Sequence, residues 1–201
     1  MSEILTIDTS SGITTEHILE PLPLFSDKHP MLSVAIPEYK EAIPNPNMTN
    51  LVARLKMTMK LYGGVGLAAN QCGVFERVFV IGTEHFQIAR INPKVVAQSE
   101  EIKKDNEGCL SFPALYVKVE RPTWCDVEFY DETGTFKQIR LEGLTARCFL
   151  HELDHLNGIK FIEHVGPTAL QLAKQRQAKM IKQMQRISKN AKKMEKIKLI
   201  S

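Results

Sequence analysis

Residues 143–158 read GLTARCFLHELDHLNG, and the rest of the chain is best read outward from here. The pattern predicts a helix from about Gly143 to Asn157, closed by Gly158. Inside it lies His151-Glu152-Leu153-Asp154-His155. Residues four apart project from one helix face, so both imidazoles can reach a single divalent metal. Glu152 stands beside them and can take a proton from a water on such a metal. Two histidines are too few for a catalytic site, which usually has three protein ligands and one open position. The competing reading is a chance pentapeptide whose histidines only cap or pack.

A third ligand has to come from elsewhere. The helix runs on into Asn157-Gly158-Ile159-Lys160-Phe161, without the further His of metzincin-type proteases. Downstream carboxylates are limited to Glu163, close behind the helix, and Glu195, in a basic tail. Upstream, Cys109 sits in Glu107-Gly108-Cys109-Leu110-Ser111-Phe112-Pro113. Gly108 and Pro113 bend this segment, so that it can present a thiolate and a backbone N–H together. A free Cys is also commonly just a small buried hydrophobe. Farther upstream, Gly63-Gly64-Val65-Gly66-Leu67-Ala68-Ala69-Asn70-Gln71 superficially matches a dinucleotide fingerprint. That fingerprint needs a strand before it, and here a helix precedes it, so nucleotide binding is rejected. The glycines instead allow close approach of backbone and substrate, with Gln71 offering an amide, or they form a helix cap and tight turn.

Between these segments the chain alternates in other ways. Leu51, Leu55, Met59 and Tyr62 recur at helical spacing, predicting a helix over 50–62 with Asn47 or Asn50 as cap and Gly63 as stop. Strand-like runs cover 77–81, 88–91, 116–119, 124–130 and 135–141, with a hairpin turn at Asp131-Glu132-Thr133-Gly134. Clustered strands with two or three helices argue for an α+β fold. Residues 1–50 are rich in proline and read as extended chain wrapping the body.

The chain has 201 residues, 43% apolar and 24% charged, which fits one catalytic unit over 1–166 with an appendage over 167–201. Disorder and membrane spans are excluded by composition. The opening MSEILTIDTSSG lacks the basic and apolar succession of a secretory leader, and Cys72, Cys109, Cys125 and Cys148 read as free thiols of a reducing compartment. Net charge is only +3, but residues 167–201 hold ten Lys/Arg against the single acid Glu195. Met180, Met184, Ile187, Ala191 and Met194 form a stripe there, with Lys179, Lys182, Arg186, Lys189, Lys193 and Lys196 largely off it. This is a long basic amphipathic helix suited to an anionic partner.

Taken together and in order, GVGLAANQ (64–71), EGCLS (107–111) and HELDH (151–155) resemble the three signature motifs of the peptide deformylase family, GxGLAAxQ, EGCLS and HExDH. The resemblance covers roughly residues 60–165 and is specific through the combination. It implies an α+β fold with antiparallel sheets around the HExDH helix. It implies a hydrolase that removes the N-formyl group of formyl-methionyl nascent chains, using Fe(II), with Ni, Co or Zn able to substitute. By position, Cys109, His151 and His155 would ligate the metal, and Glu152 would be the general base. Gln71 and the Leu110 N–H would stabilise the oxyanion. Gly66 backbone would bind the peptide as a strand, and Val65 and Cys148 would wall the methionine pocket. Glu107 can accept the free ring N–H of a ligand His, and Asp154 can pair with Arg121. Two positions depart from common members. Tyr116 stands where many have Arg, and Leu150 where Gln is frequent; both bear on rim contacts with the peptide.

The tail is similar in kind to the basic terminal helix by which some bacterial members reach the ribosome. Packing on the body and dimerisation through the apolar stripe are the alternatives, and a monomer is the working expectation. A cytoplasmic enzyme is expected, with an organelle or a virus-infected cell also compatible. A zincin-like metallopeptidase and a catalytically idle ribosome- or RNA-binding protein are the competing functional classes.

Overall fold

The computed structural model describes residues 3–5, 17–83 and 85–198, with side chains over 19–83 and 85–190. In chain order these form β1 (Glu3–Leu5), β2 (His17–Leu19), α1 (Pro46–Leu61), β3 (Gly66–Ala68), β4 (Val78–Gly82), β5 (Gln87–Gln98), β6 (Ile102–Cys109), β7 (Phe112–Pro122), β8 (Trp124–Tyr130), β9 (Phe136–Glu142), α2 (Gly143–Leu156) and α3 (Pro167–Lys198). Short 3-10 turns at Pro30–Ser33, Ala69–Cys72 and Phe161–His164 join them.

Strands β3-β4-β5-β8-β9 pair in that order as an antiparallel sheet. Its centre is covered on both faces, which is why 78–81 reads as an unbroken apolar run rather than an alternation. Val78 and Val80 face α1, meeting Val52, Leu55 and Met59. Phe79 and Ile81 face α2, meeting Phe149, Leu150, Leu153 and Leu156. Phe79 and Phe149 meet edge to face, with centroids 5.1 Å apart. Leu150 therefore belongs to the core and is not a rim residue.

Strands β6 and β7 form a separate antiparallel hairpin. Its apolar face, Phe112, Leu115, Val117 and Val119, packs on Phe161 and on Ala173 of α3. Helix α2 is tied to both sheets and is buried nearly all round, including Arg147, His151, Glu152 and His155. A helix apolar on only one face would leave these groups in water; here each needs a partner indoors.

The helix expected over 50–62 begins four residues earlier, at Pro46. Asn45 is the cap, its side-chain oxygen accepting from Met48 N–H at 2.9 Å, while Pro46 takes the first helical position, for which its fixed φ is suited. Neither Asn47 nor Asn50 caps it. Strands β5 and β7 run longer than expected, and β3 and β6 were not expected at all. The proline-rich region forms an extended strap from Glu20 to Asn45, interrupted by one 3-10 turn. Helix α3 starts at Pro167 as expected, but only its first turns touch the body. Ala173 is buried and Gln177 Nε2 donates to Pro113 O at 2.8 Å, whereas Met180, Met184 and Ile187 are exposed. Ala191, Met194 and Glu195 lie outside the described side chains.

Gly158 closes α2 with φ +74°, and a Cβ there would stand 2.9 Å from the carbonyl carbons of Ser33 and Val34. No L side chain fits this combination of left-handed backbone and close strap. Gly158→Ala is expected to lower the unfolding free energy by about 1–3 kcal/mol in urea melts; a wild-type midpoint would show that the strap yields freely.

Candidate active site

Helix α2 places His151 and His155 one turn apart on the same face, with ring centroids 5.1 Å apart. Strand β6 brings Cys109 to them, at the point where a register shift between Gly108 and Cys109 turns the chain out of its ladder. Cys109 Sγ lies 3.2 Å from His155 Nε2. One ligand-type atom from each of Cys109, His151 and His155 falls within 4.8 Å of the others, the one such group of three among the described residues. Glu163 is not in it; its carboxylate accepts from Lys160 N–H at 3.3 Å instead.

The chemistry of this donor set fits a cation. A thiolate and two imidazoles are suited to zinc, iron and their neighbours. The second nitrogen of His151 is already engaged, Nδ1 lying 3.0 Å from Glu107 Oε2, which leaves Nε2 for a metal. Burial keeps His155 neutral by driving its pKa well below the usual imidazole range, as ligation requires. Burial opposes charge on His151 too, but Cys109 and Glu107 beside it prevail and raise it to about 10. A cation arriving here displaces that proton.

Glu152 projects beside the trio and is 5% exposed. Its Oε2 is buried without a hydrogen-bond partner among the described groups, an expensive condition for an ionised oxygen unless something polar binds there. Burial pushes its carboxyl up to about 7, close to neutrality, where a group both takes and returns a proton. The backbone of Gly66 lies against it. A Cβ at Gly66 would collide with the Glu152 carboxyl, meeting Oε1 and coming to 2.8 Å from Cδ. The absent side chain makes room for Glu152 itself, a tighter reason for glycine than the substrate approach expected.

Gln71 is 1% exposed and fixed at both ends of its amide. Its oxygen accepts from Ala68 N–H at 2.8 Å, which orients Nε2 toward Ser111 Oγ at 3.2 Å and Cys109 Sγ at 3.3 Å. The amide N–H group therefore points at the metal-type cluster. Leu110 follows Cys109 directly and lines the same cleft.

That cleft is about 760 Å³, with Val65, Gly66, Leu110, Tyr116, Leu144, Cys148, His151 and Glu152 in its lining. Burial pushes the Cys148 thiol up to about 11, so it is a neutral wall and stands outside the ligand group. Tyr116 is exposed and lies on the bare backbone of Gly108, where a Cβ would come within 2.6 Å of its ring.

Beneath the cleft sits an ion network. Arg121 reaches Glu107 with Nε and Nη2 at 3.0 and 3.1 Å, and Asp154 with Nη1 at 2.6 Å. Both pairings expected of Glu107 and Asp154 are present. Burial works against ionisation of Glu107, but His151 and Arg121 outweigh it and hold the carboxyl down at about 2. Two members escaped the sequence reading. His164 Nε2 meets Asp154 Oδ2 at 2.7 Å, and Arg147 Nη1 meets Glu107 Oε1 at 2.7 Å. Arg147 was detectable as a charge four residues before His151, on the face that carries the motif.

Comparison with known proteins bears on this arrangement. The family model for polypeptide deformylase matches residues 21–171. A peptide deformylase of Thermotoga maritima is 40% identical over 121 residues, spanning 60% of this chain and 74% of the relative. One of Zymomonas mobilis is 36% identical over 151 residues, spanning 68% and 85%. Among solved structures, a Synechococcus elongatus peptide deformylase in complex with actinonin superposes with a TM-score of 0.74 at 32% identity, covering 79% of this chain and 86% of that one. A peptide deformylase from Legionella pneumophila gives a TM-score of 0.74 at 30% identity, covering 83% and 98%. Neither a zincin-like peptidase nor an idle RNA-binding protein gains support from any of these. With its motifs, fold and cleft all in agreement, the chain belongs to the peptide deformylase family, metal-dependent hydrolases that act on formyl-methionyl peptides.

Proposed function

We propose that this chain deformylates nascent polypeptides with Cys109, His151 and His155 as metal ligands, Glu152 as general base, and Gln71 and the Leu110 N–H as oxyanion donors. The observation that carries the reading is Glu152. It is a buried carboxylate with one unpartnered oxygen, set beside a Cys-His-His cluster at the floor of an open cleft. A divalent cation at the cluster supplies a Lewis acid that acidifies water and polarises the formyl carbonyl. Fe(II) is the ion we assign, with Ni, Co or Zn able to replace it; one thiolate and two imidazoles suit all four.

The residues act as follows. Glu152 takes the proton of the attacking water as the new C–O bond forms, then delivers it to the amine nitrogen as the C–N bond breaks. Gln71 Nε2 donates to the formyl oxygen as negative charge develops there, and its orientation is set in advance by Ala68 N–H. An amide suits this task because it donates while staying neutral. Gly66 and its neighbours lend backbone groups to a peptide lying alongside as an extra strand. Val65 and Cys148, both in the cleft lining, are assigned to the walls around the substrate's methionine side chain. Peptide recognition in the family is supported by a solved Acinetobacter baumannii relative whose structure holds Met-Ala-Ser.

The division into a catalytic unit over 1–166 and an appendage over 167–201 is part of the same proposal. We assign the appendage to the ribosome. Lys174, Arg176, Lys179, Lys182, Arg186 and Lys189 are exposed along a helix whose outer half leaves the body. Such a row suits phosphate contacts and a steep salt dependence. Of the described residues, no helix is long and apolar enough to cross a membrane. We place the enzyme, as a monomer, in the cytoplasm.

Anaerobically prepared, iron-loaded protein is expected to release formate from formyl-Met-Ala-Ser, and Glu152→Ala to release none above background; formate from the variant would remove Glu152 from the mechanism. Gly66→Ala is expected to fold normally but turn over about 10–100-fold more slowly, since it displaces the Glu152 carboxyl; unaltered turnover would show that the carboxyl tolerates the shift. Deleting residues 178–201 keeps the packed turns of α3 and is expected to abolish cosedimentation with ribosomes at low salt. Undiminished cosedimentation would exclude the tail as the anchor, and a loss of dimers on deletion would favour self-association.

A further inference from the structure

The ligand trio is assembled from a β-hairpin and a helix. Cys109 ends β6 of the two-stranded hairpin, whereas His151 and His155 stand on α2. The hairpin shares no strand pairing with the five-stranded sheet on which α2 packs. Backbone hydrogen bonds tie the two at the hairpin's base, where Ser99 N–H donates to Trp124 O and Thr123 N–H to Glu101 O; nearer the ligands, the distance from the thiol to the imidazoles depends on the side chains that cross from helix to hairpin. A ligand set tolerates little play here, because a misplacement of about 1 Å is enough to spoil a site.

Arg121 and Arg147 make that crossing from opposite sides. Arg121 rises from β7 and grips Asp154 of α2. Arg147 descends from α2, one turn before His151, and spans three acceptors of the hairpin. Its Nη1 donates to Glu107 Oε1 at 2.7 Å and to Val119 O at 3.0 Å, and its Nη2 donates to Lys103 O at 2.6 Å. It is only 8% exposed. The two carbonyls lie on different strands, so the guanidinium pins β6 and β7 at once. Only a planar fork with several fixed donors reaches three acceptors in this way; an ammonium is a point charge and cannot. The Glu107 contact completes the geometry. Arg147 and Arg121 share Oε1, leaving Oε2 to Arg121 Nη2 and His151 Nδ1. Both carboxylate oxygens are thereby engaged, which sets the orientation in which Glu107 meets His151 Nδ1.

We infer that Arg147 is a positioning residue for the metal site: it clamps the Cys109 hairpin to the His151 helix and locks Glu107 in the orientation that presents His151 for ligation. This rests on the proposed ligand set. Arg147 touches no ligand atom in that set, and its effect passes through Glu107 and through the hairpin backbone.

The test uses Co(II), whose visible spectrum reports thiolate ligation and coordination geometry, on the full chain. Wild type is expected to show a thiolate-to-cobalt band that Cys109→Ala abolishes. Arg147→Met keeps the apolar stem and removes the fork. It is expected to bind Co(II) about 10–100-fold more weakly, with the band shifted or weakened. Arg147→Lys is expected to recover only part of the affinity. Arg147→Met with wild-type affinity and spectrum would overturn the inference and leave the ligand set standing. Should Arg147→Met fail to fold, Arg147→Lys decides: affinity within twofold of wild type would overturn the clamp. A wild-type spectrum without any band dependent on Cys109 would overturn the ligand set, and the clamp with it.

Discussion

The carboxylate of Glu107 is buried among three cationic or ring-nitrogen partners, and much of the site depends on that burial. Away from water an unpaired carboxylate is destabilising by several kcal/mol, so its neighbours must stay where they are. Arg121, Arg147 and His151 are held in turn, and through them the hairpin, the central helix and the strand ends that carry Cys109. The network gives little net stability compared with an apolar core of the same volume. What it provides is direction: each hydrogen bond has a preferred line, and the lines converge on one imidazole. The oily interior between α2 and the five-stranded sheet supplies the free energy, while this polar interior supplies the aim.

The chemistry of the site was legible because it is local. HELDH is a statement about one helix face, and EGCLS and GVGLAANQ are short segments that each set glycines beside polar side chains. Long-range pairings were harder. Strand β6 reads Ile-Lys-Lys-Asp-Asn-Glu-Gly-Cys and buries little beyond Glu107, so no alternation announces it. It is a strand because β7, with Val117 and Val119 turned inward, gives it a ladder to join. The start of α1 was obscured for a related reason. Its first turn is Pro, Asn, Met, Thr, whose helical character comes from the Asn45 cap and the proline and not from periodicity. Arg147 was detectable as a charge on the motif face, but its acceptors were not, because the carbonyls of Lys103 and Val119 lie far from it in sequence.

The proposed catalytic roles and the fold roles overlap at several positions. Gly66 is part of an edge strand and also the space that Glu152 occupies. Gln71 closes a 3-10 turn with its oxygen and addresses the site with its nitrogen. Asn70, its neighbour, donates to the carbonyl of His155 at 2.6 Å and so helps to tie the end of α2 to the same turn. One short segment thus carries the proposed oxyanion donor, makes room for the Glu152 carboxyl and anchors the helix of His151 and His155. This economy explains why the segment is so poor in large side chains.

Helix α3 leaves the body after Gln177 and continues without a break to Lys198. At 1.5 Å per residue, that free part is a rod about 30 Å long. A flexible tether of the same residues would let the cleft wander over a broad volume around its attachment point. A rod with its root packed on β7 does not. Were its tip held, as in the proposed ribosome docking, the rod would convert that fixed point into a set stand-off and heading for the mouth of the cleft.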